Sequence, residues 1–90
     1  MLSFLKSTPS EMQEKIRLNF KQRRKTINLT QPELSAKSGV SFGSIKRFEQ
    51  SGKISFESLL QLAFVLECLD DFEQLCSKKN ELPHTLENIS

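Results

Sequence analysis

The side chains with the most chemistry to offer are basic, and they come in groups. Lys21, Arg23, Arg24 and Lys25 fall within one short stretch, Lys46 adjoins Arg47, and Lys53 follows. Cations clustered like this attract a polyanion, and the planar guanidinium of Arg adds two-point hydrogen bonding. The parts of a catalytic site are missing: the chain has one His (His84), two Cys (Cys68 and Cys76), no Gly-rich phosphate loop and no carboxylate pair on a pocket-forming scaffold. No enzyme, small-molecule substrate or cofactor is expected from such a set. Two thiols and one imidazole also fall short of the four ligands of a structural zinc site, so no metal is expected.

The net charge of +2 hides a division. Met1–Lys53 holds eleven basic residues against four acidic ones, +7, whereas Ile54–Ser90 holds two against seven, −5. The first part fits a polyanion, and the second a solvated or partner-facing surface. Ninety residues, 37% hydrophobic and 27% charged, make one domain with one small core. Two cysteines are too few for a disulfide-built secreted domain, which favours a reducing compartment and ordinary semi-buried thiols. MLSFLKS has no signal-peptide apolar region. The longest apolar run, Leu59–Leu69, is broken by Gln61 and Glu67 and is far shorter than the ~20 residues of a membrane span. A cytoplasmic protein, nucleoid-associated if it binds DNA, is therefore expected.

The elements that must position the basic groups are legible from their punctuation. Ser10, with Gln13 three residues on, reads as a capping box opening a helix with Met12, Ile16, Phe20 and Ile27 inward, ending near Asn28. Thr30 and Glu33 form a second capping box, with Pro32 in the first turn, for a short helix Gln31–Lys37 that carries Leu34 and stops at Gly39. Ser41 caps Phe42–Gln50, with Ile45 and Phe48 inward, and Ser51-Gly52 ends it. Ser55 caps Phe56 to about Glu67, a helix apolar nearly all round and so buried on more than one side. Asp70 starts a last short helix with Phe72 and Leu75, and after Lys78 the chain turns polar. The expected fold is all-α: a compact bundle of four to five short helices over residues 10–77, an N-terminal arm (1–9) and an extended C-terminal tail (78–90), with His84 inert in it.

The two short helices joined by Ser38-Gly39-Val40-Ser41 form a helix-turn-helix, with Gly39 at the turn and Ser35 small where the helices approach. The outer face of the second one offers Ser41, Phe42, Gly43, Ser44, Lys46 and Arg47. In a DNA major groove Arg47 can pair with guanine O6 and N7, worth about 1–3 kcal/mol of discrimination. Ser41 and Ser44 can donate or accept, Gly43 permits close approach, and Phe42 can pack on a thymine methyl or belong to the core. The basic residues of the first helix and Lys53 would meet phosphates without regard to sequence.

The segment LTQPELSAKSGVSFGSIKRFEQSGKISFESLLQLAFVL resembles the Cro/CI-type (XRE family) helix-turn-helix domains of phage and bacterial repressors, whose fold is lambda-repressor-like. The likeness runs from about Ile16 to Leu69. It implies that Gln31 hydrogen-bonds a DNA phosphate and that Ser41, Phe42, Gly43, Ser44 and Arg47 meet base edges. It further implies that Arg24 pairs with Glu49 while facing a phosphate; Lys21, Arg23, Lys46 and Lys53 join the phosphate set. Phe42 and Gly43 depart from the long polar readers of many members, and Glu57 stands where some repressors place basic, groove-reaching residues.

The C-terminal half is similar, through a weaker motif, to HipB-like proteins, which partner HipA-type kinase toxins and repress their own operons. Glu49, Ser51, Gly52, Ile54, Ser55, the run Leu69–Leu75, and Leu82, Pro83 and Leu86 carry that similarity. Leu69, Phe72 and Leu75 among acids read as an apolar stripe with a charged rim, as at a dimer or partner interface. The expectation is thus a dimeric repressor of an inverted-repeat operator in double-stranded DNA, serving as the antitoxin and autorepressor of a kinase toxin operon. The alternatives are a stand-alone phage-type or chromosomal regulator without a toxin, and a toxin-binding module with DNA binding secondary.

Overall fold

A computed structural model describes residues 8–77. Residues 1–7 of the expected N-terminal arm (1–9) and the C-terminal tail (78–90), with His84, Leu82, Pro83 and Leu86, lie outside the described residues. The chain forms α1 (Pro9–Thr26), α2 (Gln31–Ser38), α3 (Phe42–Ser51) and α4 (Phe56–Val65), followed by a 3₁₀ helix (Leu69–Gln74). No strand occurs among the described residues, in keeping with the all-α expectation. The first helix packs on α3, α2 packs on both α3 and α4, and the 3₁₀ helix packs on α4.

The start of each of the four α-helices is set by a hydroxyl. Thr30 accepts from the Glu33 N–H while the Glu33 carboxylate accepts from the Thr30 N–H, a closed capping box. Those hydrogen bonds from Thr30 hold the Glu33 carboxyl below the usual carboxylate range. Ser41 and Ser55 cap α3 and α4 by accepting from the Ser44 and Ser58 N–H groups. Gly39 and Gly52 end α2 and α3 in the left-handed region, at φ of 79° and 81°. The start of α1 is a correction. Its cap is Thr8, boxed with Glu11, and Ser10 lies inside the helix. Pro9 decides this: it occupies the first helical turn, where its missing N–H costs nothing, so the cap must precede it.

The core consists of Phe20, Leu34, Val40, Ile45, Phe48, Leu62, Ala63 and Leu66, with Phe20 and Phe48 meeting edge to face at 5.5 Å. Met12 and Ile27, expected inward, are exposed. The buried line of α1 runs Ile16–Phe20–Arg24, and Ile27 leaves it because it is the C-cap, past the last helical residue Thr26. The fourth helix is less enclosed than its composition implies: Leu62 and Ala63 are buried, while Phe64 is 71% exposed and Phe56 also stands in solvent. Phe72 is half-buried against the core and touches the Phe56 ring edge to face. Burial pushes the half-buried Cys68 thiol above its ordinary range, whereas Cys76 is exposed rather than semi-buried.

Candidate nucleic-acid interface

The turn between α2 and α3 is stitched by small side chains. The Ser35 hydroxyl donates to the Val40 carbonyl at 2.6 Å, and the Val40 N–H donates to the Ser38 hydroxyl at 3.1 Å. With Leu34, Val40, Ile45 and Phe48 buried beneath, α3 is held with Ser41–Ser44, Lys46 and Arg47 facing outward. Phe42 is 44% exposed and Lys46 Nζ stands 5.5 Å from its ring centroid, so the core alternative for Phe42 is excluded. Gly43 has open space where a side chain would be. Ser44, Arg47 and Lys53 line one shallow cavity with Ile54, Ser55 and Ser58, joining the outer face of α3 to the start of α4.

Behind this face lies a buried polar hub. Arg24 donates Nε to Glu49 Oε2 at 2.7 Å, Nη2 to Glu49 Oε1 at 2.9 Å and Nη1 to the Leu29 carbonyl at 2.8 Å. Gln31 Nε2 donates to the same Glu49 Oε1 at 2.8 Å. Arg24 is 8% exposed and Glu49 only 4%. Burial by itself would raise the Glu49 carboxyl. Hydrogen bonds from Arg24 and Gln31, with the charges of Arg24 and Lys21, outweigh it and hold the group below the usual carboxylate range. The carboxylate in turn holds the Arg24 guanidinium above its ordinary value. Among the described residues no buried side-chain N or O atom lacks a partner. A fork-to-fork pair satisfied in this way fixes three elements, α1, α2 and α3, at one point.

The structure thus brings together most of the residues expected to act on DNA. Gln31 is half-buried, tethered through one N–H, with the rest of its amide available. Lys21 lies close enough to bias Glu49, and Lys46 and Lys53 are exposed around α3. The hydroxyl of Ser41 is largely spent inside the protein, accepting from the Ser44 N–H and donating to the Ser44 hydroxyl at 2.8 Å. Arg24, with three N–H groups turned inward, keeps at most two for a phosphate.

Arg23 is engaged elsewhere. It donates Nε to the Leu66 carbonyl at 2.7 Å and Nη2 to the Glu67 carbonyl at 3.0 Å, satisfying the end of α4. It lines a depression with Cys68, Asp71, Phe72 and Leu75, beside the 3₁₀ helix rather than beside α3. Adjacent helix positions point about 100° apart, so the basic run Arg23-Arg24 is split between two jobs. Two residues for which the sequence suggested other roles, Gln13 as a capping-box partner and Arg17 as a first-helix base, contact the far end of α3: Gln13 Nε2 donates to the Gly52 carbonyl at 2.9 Å, and Arg17 Nη1 to the Glu49 carbonyl at 2.6 Å. Their acceptors are backbone atoms, which leave no residue-type signal to find.

Leu69 and Leu75 are exposed and Phe72 half-buried at the opposite, acidic end. A second depression there is lined by Phe64, Glu67, Leu69, Asp70, Phe72 and Glu73. Glu57 is exposed in the first turn of α4. Among the described residues no group of His, Cys, Asp or Glu side chains is placed to hold a metal ion, and no helix is long and apolar enough to cross a membrane.

Compared with known families, residues 20–68, more than half of the chain, match the model described as helix-turn-helix. No curated protein and no solved structure gives a match.

Proposed function

The chain belongs to the helix-turn-helix family, of the XRE type, and from that premise we propose that it is a dimeric repressor reading an inverted-repeat operator in double-stranded DNA. The family's domain is a DNA-binding regulatory one. The observation that carries the finer reading is the outward face of α3, with Arg47, Ser44 and Phe42 exposed, backed by the Arg24–Glu49–Gln31 hub. A helix whose polar face must match base edges needs a fixed angle and depth, and the hub anchors it at one point from beneath.

In this reading Arg47 takes guanine O6 and N7. Ser44, whose hydroxyl donor is uncommitted, meets a neighbouring base edge. Phe42, steadied by Lys46, packs on a thymine methyl, and Gly43 lets the backbone approach. Gln31, Lys21, Lys46 and Lys53 take phosphates. One recognition helix buries too little surface for the usual specific affinities, so two copies act together, their α3 helices about 34 Å apart. The exposed Leu69 and Leu75, with Phe72 between them, are the surface through which they pair.

The test is to enrich duplexes from a random library with the purified protein and footprint the winners. An inverted repeat with half-sites one helical turn apart is expected; a library that stays random at low salt overturns the reading. Leu75→Ser should shift the protein toward monomer in sedimentation at micromolar concentration without lowering its melting temperature. Unchanged self-association removes that surface from the dimer.

A second reading, favoured by the bare Phe64, Leu69 and Leu75 at the acidic end, is the HipB-like one. There the same surface binds a HipA-type kinase toxin and DNA binding serves autoregulation. Co-purification with a kinase-like product of the adjacent gene separates this antitoxin from a stand-alone regulator.

A further inference from the structure

The contacts between α1 and the far end of α3 point to a role beyond packing. We propose that Gln13 and Arg17 are positioning residues for DNA discrimination: they fix where α3 ends against α1, and thereby where Arg47 points. The proposal rests on the DNA-reading role of α3 proposed above.

An α-helix ends with four carbonyls that have no partner inside it. At the end of α3 the Arg47, Phe48, Glu49 and Gly52 carbonyls accept directed hydrogen bonds. The Phe48 carbonyl accepts from the Gly52 N–H at 2.7 Å and the Arg47 carbonyl from the Ser51 hydroxyl at 2.7 Å. The Glu49 and Gly52 carbonyls accept from α1, through Arg17 and Gln13. Arg17 is itself braced on its other edge, donating Nε to Glu14 Oε1 at 3.0 Å and pairing through Nη2 with Glu14 Oε2. Its charge sits at the negative end of the α3 dipole, where a cation is favoured.

Gln13 lies so close to the end of α3 that a Cβ on residue 52 would stand 2.8 Å from its Cγ. Glycine at 52 is therefore required twice, by its positive φ and by the approach of α1. The Phe20–Phe48 contact and the Arg24–Glu49 pair hold α1 against α3 along one line, which leaves rotation of α3 about that line open. The hydrogen bonds of Arg17 and Gln13 remove that freedom one turn from Arg47. Two-point pairing with a base tolerates displacements of only about 0.5 Å. The donors of Arg17 already engaged by Glu14 and Glu49 also make it a poor phosphate cation.

The experiment compares wild type, Arg17→Met, Arg17→Lys and Gln13→Leu, each with Arg47 intact and with Arg47→Ala. Affinities are titrated on the duplex enriched by wild type and on a scrambled duplex of equal length, over a salt series, with melting curves for every variant. Arg17→Met should weaken binding to the enriched duplex about tenfold and to the scrambled duplex less than about twofold, with the salt slope unchanged. Gln13→Leu should act in the same direction, about threefold, and Arg17→Lys, which keeps a donor and the charge, should recover part of the loss. With Arg47→Ala in place, Arg17→Met should no longer change the ratio between the two duplexes. Equal losses on both duplexes with a shallower salt slope would make Arg17 a phosphate contact and overturn the proposal. An unaltered ratio, or a change in ratio that persists without Arg47, overturns it as well. If Arg17→Met melts below the assay temperature, Gln13→Leu decides on the same criteria. A wild-type protein that enriches no duplex fails one step earlier, and that failure belongs to the operator reading itself.

Discussion

Along α1 and α3 the outward polar groups stand on a buried, hydrogen-bonded hub, whereas around α4 and the 3₁₀ helix the outward groups are bare apolar side chains among acids. In the first region Glu49 gathers Arg24 and Gln31 out of water, and neighbouring side chains of α1 hold the end of α3. In the second, Phe64, Leu69 and Leu75 are exposed beside Glu67, Asp70 and Glu73. On the proposed function, the difference follows from what each surface recognises. Hydrogen-bond readout depends on direction, so its side chains need rigid support from below. Apolar association is non-directional and asks only for area and a rim that keeps the surface soluble.

The largest test of this contrast is a pair of substitutions. Glu49→Ala leaves the Arg24 guanidinium buried without its partner and should cost about 3–5 kcal/mol. Phe64→Ser, at an exposed position, should stay within about 0.5 kcal/mol. Urea unfolding followed by helical circular dichroism measures both, and similar costs would erase the distinction between a supported and an unsupported surface.

Acid sharpens it next. The Glu49 carboxyl is lowered on folding, so its contribution is fully present above the unfolded-state value of about 4.3 and is lost as pH falls through the folded one. Stability should therefore drop below the ordinary carboxylate range, and Glu49→Gln should lack that part of the drop. Urea midpoints taken between neutral and strongly acidic pH read the difference; parallel curves for the two proteins would contradict it.

The smallest effect separates the two halves of the basic run. Arg23→Ala removes two hydrogen bonds to the end of α4 and should lower stability by about 1–2 kcal/mol, leaving the salt dependence of DNA binding unchanged. Lys53→Ala should do the reverse, with stability intact and the slope of log affinity against log salt reduced by about 0.9. A shallower slope in Arg23→Ala would return Arg23 to the DNA face.

Much of the fold was legible because its signals are local. Thr30-x-x-Glu33, Ser41, Ser55 and Gly39 each state a helix boundary within four residues, and the structure places caps at all of them. The start of α1 was ambiguous for the same reason, since Thr8-x-x-Glu11 and Ser10-x-x-Gln13 both spell a capping box and Pro9 decides between them. Periodicity located the apolar line of α1 but not its end, because Arg24 continues that line only by virtue of Glu49, twenty-five residues away. That pairing was legible through family resemblance alone. The hold of Gln13 and Arg17 on the end of α3 was not legible, since what they bind is backbone. Exposure at Phe64 was hidden by a helix whose composition is apolar on every side.

The central claim is that α3 reads base edges through Arg47, and Arg47→Ala on two DNAs tests it most directly. On the duplex enriched by wild type the variant should bind roughly five- to a hundredfold more weakly, with discrimination lost at one base pair in each half-site. On a scrambled duplex at the same salt its affinity should fall only by the share of a single exposed charge. Equal weakening on both duplexes would contradict the account and leave Arg47 as one more phosphate cation.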